Sequence, residues 1–219
     1  MSNKIELCKD AEALANIAFI GQTLGPFYLN DPVQDDIDDL FGAIAALDIK
    51  EAAVAWPFVA EALVEPSLAL MQQGLEKGHT DDGLLWEYRR LFVGPLAKPA
   101  PPWGSVYTDH EGVIFGETAM ALRRWMIEQA IERPDDVDMP DDHIGLMLLL
   151  MAWLAENNPE VLEEFLKGHF LTWSTHFLKQ LIDATEQPFY RGLASLTRFS
   201  LEGIQAYAGI DVVYPRFYR

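Results

Sequence analysis

Five histidines (His79, His110, His143, His169 and His176) and one cysteine, Cys8, are the side chains in this 219-residue chain best suited to metal ligation or nucleophilic chemistry. A zinc-type site needs three or four ligands at set spacings, and the chain has neither a His-Glu-x-x-His pattern nor paired cysteines. His169 and His176 are seven apart in a helical pattern and are expected to share one helix face as structural histidines. Asp142-His143 is the one adjacent acid–base pair of interest. Neighbours on a helix diverge, so Asp142 is not expected to orient His143 as a triad carboxylate would. There is no Gly-x-Ser-x-Gly elbow and no glycine-rich phosphate loop. A small hydrolase or nucleotide-binding enzyme using Asp142 and His143 is therefore the alternative reading, and no catalytic residue, metal or cofactor is expected.

The aromatic and apolar residues point elsewhere. Tyr88, Leu91 and Phe92 recur at helical spacing, and Pro102, Trp103 and Tyr107 follow in a proline-rich stretch. Leu91 and Phe92 taken singly read as core. Trp103 follows two prolines where helix is excluded, and an amphipathic ring in such a place commonly lines a groove. A Pro-Pro-Trp wall facing a helix would make a slot for an apolar peptide segment.

The elements that must position these residues are helical almost throughout. Asp10–Tyr28 places Leu14, Ile17, Ala18, Gly21 and Leu24 on one face and ends near Gly25-Pro26. Asp35, Asp36, Asp38 and Asp39 suit the N-terminal end of a helix through Leu40-Phe41. Pro57 and Pro66 are expected to bracket or begin helices. Asp81-Asp82 open a helix that Gly94-Pro95 stops. The pattern is lost from Gly94 to Gly116, a connection long enough to imply a task. Helices resume over Glu117–Glu132, from His143 through Leu154 with Asp141 or Asp142 as cap, then over Pro159–Thr185 and Pro188–Ala208. The expected fold is all-α, one compact helical domain spanning residues 1–219.

Half the residues are hydrophobic and 23% are charged, an ordinary globular balance. The net charge of −18 is not ordinary. It would repel a phosphate backbone, which excludes nucleic acid as an expected partner. Residues 161–219 carry six acids and six bases, so the excess lies wholly in the first 160 positions. It gives solubility and a surface able to attract a basic peptide. A single cysteine fits a reducing compartment. Met1–Asp10 lacks an apolar export core, and the longest apolar run, Ile144–Ala155, falls short of the about 20 residues a bilayer span needs. Arg89-Arg90-Leu91-Phe92 mimics an export signal's arginine pair but lies mid-chain. A cytoplasmic protein is expected, touching membranes only through partners.

The run Tyr88-Arg89-Arg90-Leu91-Phe92-Val93-Gly94-Pro95, followed by Pro99-Ala100-Pro101-Pro102-Trp103-Gly104-Ser105-Val106-Tyr107, resembles the signature of the TorD/DmsD family of redox-enzyme maturation chaperones, its DmsD branch above all. The resemblance continues in Ile114-Phe115-Gly116-Glu117, Asp141-Asp142-His143-Ile144, Met151–Asn157 and Pro188-Phe189-Tyr190-Arg191. It is carried by residues 85–192, whereas the first 80 match by helical pattern and length. The resemblance implies binding: a chaperone that holds the twin-arginine leader of a molybdenum-cofactor oxidoreductase subunit, of dimethyl sulfoxide reductase type, and delays export until the enzyme is folded and cofactor-loaded. The Tat translocase is a further candidate partner. Carried over by position, the leader-binding residues are Tyr88, Leu91, Phe92, Pro102, Trp103, Asp142 and His143, with Tyr88 standing where the DmsD branch has tryptophan. The leader's apolar part is expected to bury against Leu91, Phe92 and Trp103. At least one of Arg89 and Arg90 is expected to turn away into an ion pair. Arg133–Pro140 would suit a hinge for helix exchange between subunits.

Overall fold

The computed structural model describes residues 6–34, 37–94, 96–112, 114–133 and 139–219. Asp35, Asp36, Pro95 and most of the expected hinge, residues 134–138, lie outside the described residues. In chain order the α-helices are α1 (Ala11–Leu24), α2 (Pro26–Leu29), α3 (Asp38–Ala46), α4 (Ile49–Ala55), α5 (Glu61–Gly74), α6 (Asp82–Tyr88), α7 (Ser105–Thr108), α8 (Glu117–Glu128), α9 (Ile144–Asn157), α10 (Leu162–Phe165), α11 (Ser174–Ala184) and α12 (Pro188–Ala208). The described residues contain no strand, only one isolated antiparallel bridge between Trp103 and His143. No described helix is long and apolar enough to cross a membrane.

Two close helix pairs organise the core. The Asp10 carboxylate accepts from the Ala13 amide and starts α1. A Cβ added at Gly21 would lie 2.3 Å from the Leu148 carbonyl oxygen, so only glycine lets α1 approach the α9 backbone this closely. The same device joins α12 to α5, where a Cβ at Gly192 would lie 2.4 Å from the Ser67 carbonyl oxygen. Aromatic side chains fill the space between, among them Phe27, Phe41, Phe189, Tyr190, Phe165 and Trp173, all fully buried. Two buried polar pairs tie these helices together: Tyr28 bonds Thr197 at 2.9 Å, and Trp56 Nε1 donates to Ser200 at 3.0 Å.

Several local expectations are corrected. Pro66 neither begins nor brackets a helix but sits inside α5, whose packing on α12 offsets the amide bond proline removes. The stretch 94–116 contains the short helix α7. The helix begun at Glu117 ends at Glu128, because Ala130 turns left-handed at φ 55°. Pro159–Thr185 is not one helix: α10 widens into a π turn over Leu166–Phe170 and breaks before α11. The cause is Trp173, whose indole Nε1 donates to the His169 carbonyl at 2.9 Å and takes the acceptor that a continuing helix would use. His169 and His176 therefore do not share a face. His169 packs on Trp125, and His176 stacks on Phe217 at 4.1 Å.

Candidate functional site

Pro101-Pro102 lie outside any helix, with a bend at Pro102, and Tyr107 reaches back so that its hydroxyl donates to the Pro101 carbonyl at 2.8 Å. The segment behind Pro101 is then clipped to the chain entering α9. Ile144 N donates to Pro102 O at 2.8 Å, and Gly104 N donates to Asp142 O at 3.1 Å, which places Trp103 opposite His143. The two rings meet edge to face at 5.6 Å. Gly104 is required here, since a Cβ would lie 2.6 Å from the Trp173 indole. Pro102, Trp103, Asp142 and His143 thus form one rigid clip.

The acids and the imidazole of this clip are placed differently from the sequence expectation. Neither Asp141 nor Asp142 caps α9. His143 takes that position, and its Nδ1 accepts from Gly145 N at 3.2 Å. Asp142 instead turns to the loop and accepts from Ser105 N at 2.7 Å, while Asp141 is paired with Arg133 at 3.3 Å and Arg123 at 3.8 Å. The physical reason is the clip: pairing with Pro102 and Gly104 aims residue 142 at the loop and leaves residue 143 at the helix end. Burial pushes the His143 imidazole down to about 3, helped by nearby Lys98, so it is neutral. Burial raises the Asp142 carboxyl, opposed by the Ser105 amide. Carboxylate and imidazole thus each serve a backbone amide, and this geometry gives the hydrolase reading no support.

Tyr88, Leu91 and Phe92 form a second cluster. After α6 the chain enters a π turn over Arg89–Val93, and this wider turn sends both Leu91 and Phe92 inward. Phe92 packs on Tyr28 at 5.7 Å, Tyr88 at 5.4 Å and Tyr190 at 5.8 Å. Leu91 is fully buried and Phe92 is 5% exposed. Leu91 and Phe92, against which a guest's apolar segment is expected to bury, are thus covered by the core in this structure. Both flanking arginines are paired, as expected of at least one. Arg90 holds the Glu87 carboxylate through two nitrogens at 2.6 and 2.8 Å, and Arg89 meets Asp31 at 3.4 Å.

Lys98 joins the clusters. Its ammonium donates to the Gly94 carbonyl at 3.0 Å, at the end of the π turn, and lies 5.8 Å from the centre of the Trp103 ring. Burial lowers its pKa. The sequence reading missed Lys98, although it is the sole Lys or Arg between Arg90 and Arg123 and so stands out once the loop is suspected. It also missed the C-terminal strap. Tyr218 N donates to Tyr107 O at 3.0 Å, and Arg219 donates to the Lys98 carbonyl at 2.8 Å. Trp103 remains partly exposed at the surface of the clip, and its Nε1 has no hydrogen-bond partner among the described residues. Those residues contain no group of three or more His, Cys, Asp or Glu able to hold a metal ion.

The profile of the nitrate reductase delta subunit family matches residues 57–179. Over 205 residues the chain is 38% identical to the Tat proofreading chaperone DmsD of Salmonella typhimurium, covering 93% of this chain and 96% of that protein. It is 47% identical over 151 residues to a protein of Haemophilus influenzae named "Probable Tat proofreading chaperone DmsD", covering 69% of this chain and 72% of the relative. A crystal structure from Archaeoglobus fulgidus, described as a candidate redox enzyme maturation protein, shares the fold with TM-score 0.52 and 22% identity, covering 85% of this chain and 93% of that one. Near-complete mutual coverage with the Salmonella relative, on this helical fold, makes the chain a member of the TorD/DmsD family.

Proposed function

We propose that this protein binds the twin-arginine leader of a molybdenum-cofactor oxidoreductase subunit, of dimethyl sulfoxide reductase type. It holds that subunit back from the Tat translocase until the subunit is folded and loaded. It does so in the cytoplasm, where a leader must be captured before export, and as a single unit spanning residues 1–219. The observation that carries this reading is the clip: a rigid, non-helical wall that holds one partly exposed indole at the surface, opposite His143. The relatives' names support the same class of function.

In this reading Trp103 touches the leader. Pro102, Asp142 and His143 fix its backbone, and Tyr88, Leu91 and Phe92 form the packed wall behind the loop. The acidic surface attracts the basic end of the leader. Trp103 also packs on the core, so Trp103→Ala is expected to lower the melting temperature modestly while the chain stays folded, and to weaken leader binding about tenfold. Calorimetry with a synthetic dimethyl sulfoxide reductase-type leader reads this directly, and equal affinity in the variant would remove Trp103 from the site.

A further inference from the structure

α12 ends at Ala208, where Gly209 turns left-handed at φ 62°. Residues 210–219 form no helix or strand. Their final part, Tyr214-Pro215-Arg216-Phe217-Tyr218-Arg219, holds two arginines, three aromatic rings and no acid, in a chain of net charge −18. This strap runs back to the loop that presents Trp103 and ties it on both sides of that residue. Arg219 donates to the Lys98 carbonyl at 2.8 Å, and Tyr218 N donates to the Tyr107 carbonyl at 3.0 Å. From α11, His176 Nε2 donates to the Arg219 main-chain oxygen at 2.7 Å, and its ring stacks on Phe217 at 4.1 Å.

Two features make this attachment a competitor rather than a permanent tie. The first is that it can leave. Tyr214, Arg216, Tyr218 and Arg219 are exposed, and Phe217 is only partly buried. The bonds that set Trp103 opposite His143 involve no strap residue: Ile144 N to Pro102 O, Gly104 N to Asp142 O, and the Tyr107 hydroxyl to Pro101 O. Releasing the strap therefore loosens the ends of the segment and leaves the clip in place. The second feature is chemical. An arginine of the chain itself takes a loop carbonyl that a basic guest could take, and its guanidinium beside the loop repels the guest's arginines. A tethered segment acts at an effective concentration of roughly millimolar, so a few bonds suffice to compete.

We infer that residues 214–219 are a displaceable autoinhibitory strap, which occupies the carbonyls flanking Trp103 and is released when a leader docks. This inference rests on the leader-binding reading. The test compares the full chain with one ending at Val213, in calorimetry with a synthetic dimethyl sulfoxide reductase-type leader. The shortened chain is expected to bind about fivefold tighter. Arg219→Gln, which keeps the whole chain, is expected to bind about twofold tighter, whereas Lys50→Gln, at an exposed charge on α4, leaves affinity unaltered. In the full chain, exchange of the Tyr218 amide, followed by NMR, is expected to accelerate at saturating leader. Equal or weaker affinity in both the shortened chain and Arg219→Gln, or Tyr218 exchange that bound leader does not alter, would overturn the strap's role while leaving leader binding intact. Absence of saturable binding to either chain would overturn both.

Discussion

His143 serves fold and site with one side chain, and its chemistry is set by burial. The native state holds the imidazole neutral, with a pKa pushed down to about 3 from 6.5. The stability this gives is complete above pH 6.5 and is lost as pH falls towards 3, by at most about 1.4 kcal/mol per pH unit. Asp142 runs the other way, because its raised carboxyl favours the protonated native form as pH falls. His169, also lowered by burial, adds to the acid sensitivity. Denaturant titrations at pH 7.5, 6 and 5 should therefore show a shallower loss for His143→Gln than for the parent chain, and parallel slopes would contradict the buried neutral state. Lys98 offers a second test at this scale. It holds the cation seat near Trp103, and Lys98→Met should tighten leader binding a few fold by removing like charge from the path of the leader's arginines. Weaker binding would show that Lys98 acts mainly as the tie to Gly94. The Asp142-His143 pair was visible in the sequence, but which residue caps α9 was not. That depends on the backbone direction imposed by Pro102 and Gly104, more than thirty positions earlier.

Helical periodicity located α1, α9 and α12 because each buries a stripe against a neighbouring helix. It could not foresee the break before α11, which a single indole causes by bonding the His169 carbonyl, nor the π turn that closes Leu91 and Phe92 into the core. Both are tertiary effects laid over an unbroken local pattern. Gly104 is the element-scale hinge of the site. Gly104→Ala drives a methyl into Trp173 and should cost about 1–3 kcal/mol, with leader affinity falling in step. An unchanged melting temperature would show that α11 can retreat. The strap holds the same loop. Deleting residues 216–219 removes the Tyr218–Tyr107 and Arg219–Lys98 bonds and the Phe217–His176 stack. Hydrogen exchange at residues 98–110 should accelerate in the truncated chain, and unchanged exchange would show the loop holding itself.

Charge acts at the scale of the whole molecule. A net charge of −18, with the excess confined to the first 160 positions, sets up a field around the molecule that attracts a basic segment. Family membership was legible from the motifs of residues 85–192, whereas the cavity with Met126 and Ile131 on one side and Leu146, Leu149, Leu150 and Trp153 of α9 on the other was not, since each of these apolar residues reads singly as core. The most direct measurement of the central claim is a calorimetric titration of the full chain with a synthetic twin-arginine leader of dimethyl sulfoxide reductase type, beside a leader whose apolar stretch is scrambled, at low and high salt. Saturable binding that requires the intact apolar stretch and weakens as salt screens the acidic surface is the expected result. Equal affinity for both peptides, or no saturable binding at either salt, would contradict it.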